Sequence, residues 1–464
     1  MPPPELVAAE EMLARLERLV ASSPADSTEA AWVEVRRGEA SSGPEAPPSA
    51  RRERTILIRV RQSGRTGLHR TGSAGASDLD NALRDAMAQA RLAAPTAHEA
   101  LAGPGDAAGS PRGAAGNDAL HDPALAALAP AAARAMLLDA APRLGESLHL
   151  KWLDGAVAVA NSVGARRQAR VTAAACAVRC GTSAGAGSGR LAARRLDHLG
   201  LAPALDRARR RQAPVGQERA DFPAAAPVVV LAEQGAAALL DLLNRHALST
   251  AAWRDGSPSW WPRGMLGEPV AAPCFSLRDD ATLAEGLPFP FDLAGWPKRP
   301  VDLIAAGIFL TPAADARLAI EIGRPPTPHS MAPDESSAAN LVLWAGDGDA
   351  AGGLAQPLAA LSEADLLRAA EGGLWIGELT GVARFDAPRL CFRAVARGVR
   401  RIAGGELREA LPDLLWEDSM PAVLAGALAL GDQAAAIATG DPLFGATLTP
   451  LLALRPTGRL EPMR

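Results

Sequence analysis

Three stretches of period-two alternation constrain this chain more than any other feature. Residues 30–37 (AAWVEVRR), 54–72 (RTILIRVRQSGRTGLHRTG) and 148–181 (LHLKWLDGAVAVANSVGARRQARVTAAACAVRCG) alternate in the manner of half-buried strands. Successive side chains of a strand point to opposite faces, so such runs demand a sheet with something packed on its apolar side. Two turn signals, Asp154-Gly155 and Asn161-Ser162-Val163-Gly164, are expected to hinge the last run into hairpin strands. Helices supply the covering layer. One is expected over 5–20 and a better-marked one over 76–92. There Ser77 is placed to cap, Asp80 sits at the third helical position, and Leu79, Leu83, Ala86, Met87 and Ala90 share one face. The intervening SSGPEAPPSARR is too rich in Pro and Ser to predict order. Residues 93–120 read as a low-complexity loop, and helices are expected over 122–144 and 191–211.

QAPVGQERADFPAAAP (212–227) is the best candidate boundary. After it, VVVLAEQGAAALLDLLNRHALS reads as strand then helix, and the rest as short strands with Gly/Pro turns and helices near 312–322 and 362–371. The expected fold class is therefore α+β. Residues 1–220 would form an N-terminal α/β domain with a mixed sheet and helices, 93–120 being a flexible loop. Residues 221–464 would form a C-terminal β-rich domain, antiparallel and barrel- or sandwich-like.

Charge and hydropathy exclude several functions. A net charge of -4 gives no reason to expect nucleic acid. No run reaches the roughly 18–20 apolar residues of a membrane span. The first residues carry acids ahead of their apolar positions, so no signal peptide is expected. Cys176, Cys180, Cys274 and Cys391 are too few and scattered for a disulfide framework, which suits a reducing, cytoplasmic setting. Cys176 and Cys180 fall on one strand face and read as small apolar packing. GTSAGAGSGR (181–190) fits neither phosphate-loop pattern and reads as a flexible strand edge.

The stretch LLDLLNRH (239–246) sets Asp241 and His246 five residues apart on an expected helix. That spacing separates them by about 140° around a regular helix, so they do not naturally face one metal. His246 comes after Leu239, Leu242 and Leu243 at seven, four and three, the spacing of a histidine packed on the apolar stripe. Elsewhere, HEALAG (98–103) lacks a returning histidine, His121 and His329 fall in loop-like sequence, and no G-x-S-x-G appears. Asp279, Asp280 and Asp292 are read as turn residues accepting local backbone hydrogen bonds.

Several stretches, in order, resemble the TldD/PmbA (TldE) family of bacterial metallopeptidase subunits: GRTGLHRTGSAGASDLDNALRDAMAQAR, VAVANSVG, GMLGEPVAAP, RDDATLAEGLPFPFDLAGWPKRPVDLIAAGIFLT, AANLVLWAGD, GLWIGELTG and IAGGELREAL. The resemblance implies an N-terminal α/β and a C-terminal β-rich domain. It also implies a zinc site, in the TldD-type chain, built from His-Glu-x-x-x-His on a helix and a late cysteine. Laid on this sequence, those three positions fall on Asp241, Leu242 and His246. Leu242 cannot take a proton from water, and no cysteine occurs after Cys391. The resemblance therefore implies a non-catalytic TldE/PmbA-like subunit with no cofactor of its own. Zinc would belong to a TldD-like partner, and the pair would form a chamber for unfolded or leader peptides. Two other readings stay open: a stand-alone metallopeptidase with an atypical site including Asp241 and His246, and an interaction module modulating another enzyme. Heterodimer and homodimer are equally open.

Overall fold

A computed structural model describes residues 6–43, 47–95, 101–104, 120–141, 143–181, 185–213, 228–253, 265–332, 335–345, 360–386 and 389–463. The chain opens with helix α1 (Ala9–Ser22) and strands β1 (Ser27–Ser41), β2 (Ser49–Gln62) and β3 (Arg65–Thr71). Next come helix α2 (Ala76–Leu92), short helices α3 (Pro123–Ala126) and α4 (Pro130–Ala140), and strands β4 (Glu146–Asn161), β5 (Arg166–Cys180) and β6 (Gly187–Ala193). The six strands form one sheet in the order β3-β2-β1-β4-β5-β6, every pair antiparallel. One face carries Trp32, Ile56, Ile58, Val60, Ala156 and Ala158, which pack under Met12 and Leu16 of α1 and Leu83 and Met87 of α2. The other carries Val35, Val157, Val159 and Val171, which meet Leu287, Phe289, Phe291 and Leu443 from the second half. With both faces covered, β4 is buried without interruption from Trp152 to Asn161, and small alanines on the helix side let α1 approach closely.

Helix α5 (Leu201–Arg211) leads to β7 (Val229–Leu231) and α6 (Glu233–Leu243). Strand β7 belongs to an eleven-stranded sheet. It pairs in parallel with Leu374–Ile376 and antiparallel with Thr447–Leu454, which also pairs in parallel with Leu341–Trp344. A four-stranded antiparallel sheet has the order Glu378–Asp386, Cys391–Arg397, Leu414–Ser419, Arg459–Pro462. The α+β class is thus what the structure shows. The parallel pairs of the mixed sheet lie in the second half, and neither large sheet closes into a barrel among the described residues.

Several local expectations change. Asp154-Gly155 is no turn: β4 runs through it, and a Cβ at Gly155 would lie 2.5 Å from Leu443 Cδ1. The reversal comes at Asn161, whose side chain accepts the Val163 and Ala165 N–H groups, with Gly164 at φ 98°. Helix α2 begins after Gly75, so Ser77 lies inside it rather than capping it. The predicted helix 191–211 divides into the end of β6 and α5, and 122–144 breaks before Pro130. Part of SSGPEAPPSARR is strand, β2 starting at Ser49. The predicted boundary at 220/221 and most of the 93–120 loop lie outside the described residues.

Candidate functional site

Helix α6 leaves β7 and drives Ala236, Leu239, Leu240, Leu242 and Leu243 into the main core. Leu242 is 1% exposed. Asp241 lies on the other side and opens into a cleft of about 310 Å³ lined by Arg190, Gln234, Asp241, Arg245, Glu378 and Thr380, among others. Arg245 Nη2 sits 2.7 Å from Asp241 Oδ2, one helical turn on. Burial raises the Asp241 carboxyl above the usual carboxylate range, and Arg245 partly offsets this.

Beyond Leu243 the helix widens into a single π turn, Asn244–Leu248, closed by Ser249 N–H on Asn244 O at 2.8 Å. The buried Asn244 side chain pins that turn, donating to Ser337 Oγ (3.0 Å) and Ala338 O (2.7 Å) and accepting from Ala338 N–H (3.2 Å). An extra residue per turn shifts the helical phase of the residues within and beyond it. His246 lies within this turn and is half-buried rather than part of the buried core. The regular 140° offset does not apply across this turn either. Burial first, then the Arg384 and Arg245 cations, lower the His246 pKa.

Two sheet edges frame the cleft. Strand Glu378–Asp386 is the edge of the four-stranded sheet, and β6 is the edge of the N-terminal sheet. They approach at Arg190 and Glu378, whose charged atoms are 3.9 Å apart. Gln234 of α6 ties both walls together, donating to Gly377 O (2.6 Å) and Ser188 Oγ (3.2 Å). Beyond this pair a second cleft of about 320 Å³ continues past Ser147, His149 and Arg179. Such a trough offers sheet-edge backbone and mixed charge to an extended chain.

The donor set does not fit a zinc ion. Asp241 is engaged by a guanidinium, Leu242 is aliphatic and points into the core, and His246 faces two arginines. Among the described residues no three His, Cys, Asp or Glu side chains gather as a metal site. Sequence reasoning brought Asp241 forward but missed Arg245, Arg190, Glu378 and Gln234. Of these only Arg245 was legible, as the i+4 partner of a helical aspartate.

The remaining candidates have structural partners. His121 Nε2 lies 3.5 Å from Asp154, itself flanked by Arg36 and Arg170. Cys176 and Cys180 are buried on one face of β5, and burial pushes the Cys176 thiol up to about 12. Asp280 and Asp292 accept local N–H groups as turn residues, from Thr282 and from Ala294 and Trp296. Asp279 departs from that reading: it accepts the N–H groups of Ala339 and Asn340, sixty residues away (2.8 Å each), because strand Leu341–Trp344 pairs beside it.

Residues 226–456 match the family model of the PmbA/TldA metallopeptidase C-terminal domain. Three solved structures share the fold. A proposed modulator of a DNA gyrase from Thermotoga maritima is 17% identical, with a TM-score of 0.75 over 97% of this chain and 100% of that one. TldE from Thermococcus kodakarensis is 18% identical, with a TM-score of 0.74 over 98% and 100%. A proposed modulator of DNA gyrase from Bacteroides thetaiotaomicron is 16% identical, with a TM-score of 0.71 over 99% and 100%. No curated protein matches the sequence.

Proposed function

The chain belongs to the TldD/PmbA family, and from that premise we propose that it is a TldE/PmbA-like, non-catalytic subunit. In this reading it pairs in the cytoplasm with a TldD-like chain that carries the zinc. It closes a peptidase chamber and helps hold unfolded or leader peptides in extended form. The observation that supports this most directly is the state of the motif helix. The position of the general base is Leu242, packed in the core, and the position of the first ligand is Asp241, held by Arg245 at 2.7 Å. A carboxylate needed to deprotonate water is therefore missing, and the remaining acid already pairs with the Arg245 guanidinium. The trough between β6 and Glu378–Asp386 supports the peptide-holding part, since sheet-edge backbone binds without regard to side-chain sequence.

The test is reconstitution. Each chain alone and the mixture are assayed on an unstructured peptide, with and without chelator. Hydrolysis confined to the mixture and abolished by chelator is the expected result. Chelator-sensitive hydrolysis by this chain alone would instead establish the stand-alone metallopeptidase. The names of the Thermotoga and Bacteroides relatives favour one other reading, an interaction module acting on a gyrase-like enzyme. Gyrase supercoiling that changes with added chain, without any peptidase partner, would select it.

A further inference from the structure

Away from the cleft, five fully buried polar side chains from four separate segments meet where the second half packs under the N-terminal sheet. Asp279 and His329 are 0% exposed, Lys298 3%, Ser336 0% and Asn340 2%. Four of their polar atoms have no polar partner among the described residues, Lys298 Nζ, His329 Nδ1, Ser336 Oγ and Asn340 Oδ1, while Asp279 Oδ1 and His329 Nε2 have only each other, outside hydrogen-bond geometry. The segments are tied to one another. Asn340 N–H donates to Asp279 Oδ2 (2.8 Å), His329 Nε2 lies 3.3 Å from Asp279 Oδ1, and Ser337 N–H donates to His329 O (3.1 Å). Asp292, 3% exposed, closes the group by accepting Ser330 N–H (3.0 Å). Lys298 makes no ion pair among the described residues, yet its charge is felt by Asp279, Asp292 and His329 alike.

An unpaired ammonium in a protein interior costs several kcal/mol, and orphaned buried polar atoms in one place call for a common partner. The partner must accept from Lys298 and donate to the Asp279 carboxylate. A simple anion would face that carboxylate and a simple cation the ammonium; water does both. We propose that this junction is a built internal hydration site, in which ordered water bridges the Lys298 ammonium to the Asp279 and Asp292 carboxylates, with His329, Ser336 and Asn340 completing its shell. The site anchors segment 281–298, which carries Leu283, Leu287, Phe289, Phe291 and Leu293 to the sheet face above. Bridged, Lys298 stabilises the fold; unbridged, it is a burden.

Lys298→Met separates these cases, because methionine fills similar space without charge. Its unfolding midpoint is expected to fall by about 4 °C or more, whereas a midpoint that holds or rises would overturn the proposal. A crystal structure of the unaltered chain at atomic resolution provides the second readout, independent of whether the variant folds. Ordered solvent within hydrogen-bond distance of Lys298 Nζ and a carboxylate is the expected result. Direct packing of Nζ against apolar atoms, or an anion there, would refute it.

Discussion

Arg211, at the end of α5, and Glu233, at the start of α6, form a two-pronged ion pair (2.7 and 3.1 Å) with both side chains 4% exposed. Arg211 also reaches Glu363 at 3.0 Å, and its guanidinium stacks 4.7 Å from the Trp375 ring. The pair links the last described helix of the first half to the motif helix of the second, so the cleft depends on it for position. Removing one partner leaves the other charge buried, so Arg211→Met is expected to destabilise by about 3–5 kcal/mol. Adding Glu233→Leu should recover much of that loss in denaturant titrations. Burial works against the Glu233 charge, but Arg211 outweighs it and holds the carboxyl low. A lowered acid stabilises above its unfolded value and loses that contribution as pH falls through the folded one. The gap between wild type and the double variant should therefore narrow below about pH 4.5.

Arg194 makes the complementary rivet. Its guanidinium donates to five carbonyls, those of Thr172, Leu287, Pro288, Pro442 and Leu443, at 3.0–3.2 Å. Only a planar fork of five N–H groups can serve them together. Arg194→Lys keeps the charge but strands carbonyls, and should cost about 2–4 kcal/mol. Equal stability of the lysine variant would show that charge, rather than the fork, matters.

Much of this architecture was legible because it is local. Leu79, Leu83, Ala86, Met87 and Ala90 declared the buried face of α2 by spacing alone, and the alternation of 54–72 declared strand. What escaped was set by contacts distant in sequence. Gly155 looks like a turn glycine until Leu443 comes within reach of it. His246 looks like core until Asn244 pins a widened turn against Ser337 and Ala338. Asp279 looks like a turn residue until a strand sixty residues on pairs beside it. The cleft was half visible. Asp241 stood out by its place in the motif, whereas Arg190 and Glu378 are joined only by the meeting of two sheets.

Restoring the motif's carboxylate should not restore catalysis. Leu242 is 1% exposed within the main core, so Leu242→Glu buries an acid among leucines and should cost at least about 3 kcal/mol. Thermal unfolding with a parallel peptidase assay in zinc checks both parts. A stable, zinc-dependent hydrolase from this single change would mean that position 242 can turn toward the cleft.

The Asp241–Arg245 pair should matter little for stability, being 23% and 52% exposed, and worth about 0.3–1 kcal/mol. Arg245→Ala should nevertheless raise the Asp241 pKa further, since burial would then act without its counterion. Carboxyl chemical shifts tracked through a pH titration would report it. In the reconstituted pair, the same variant should weaken peptide affinity while leaving turnover of bound peptide intact, if the cleft holds substrate rather than transforms it.

Asp292 gives the pH signature of the buried junction. Burial pushes its carboxyl up to about 6, against the pull of Lys298 and of the Ser330, Trp296 and Ala294 N–H groups. For a raised acid the native state binds the proton more tightly than the unfolded chain, so its contribution is full below about pH 4 and falls away as pH rises through about 6. Asp292→Asn cannot titrate and also loses the acceptor for Ser330 N–H. The stability difference favouring the wild type should therefore be larger at pH 5 than at pH 7, by about 1 kcal/mol. In a Lys298→Met background the ammonium no longer helps the carboxylate ionise, so the window should move to higher pH. If the window stayed put, Lys298 and Asp292 would not be coupled, and the proposed bridge between them would be refuted.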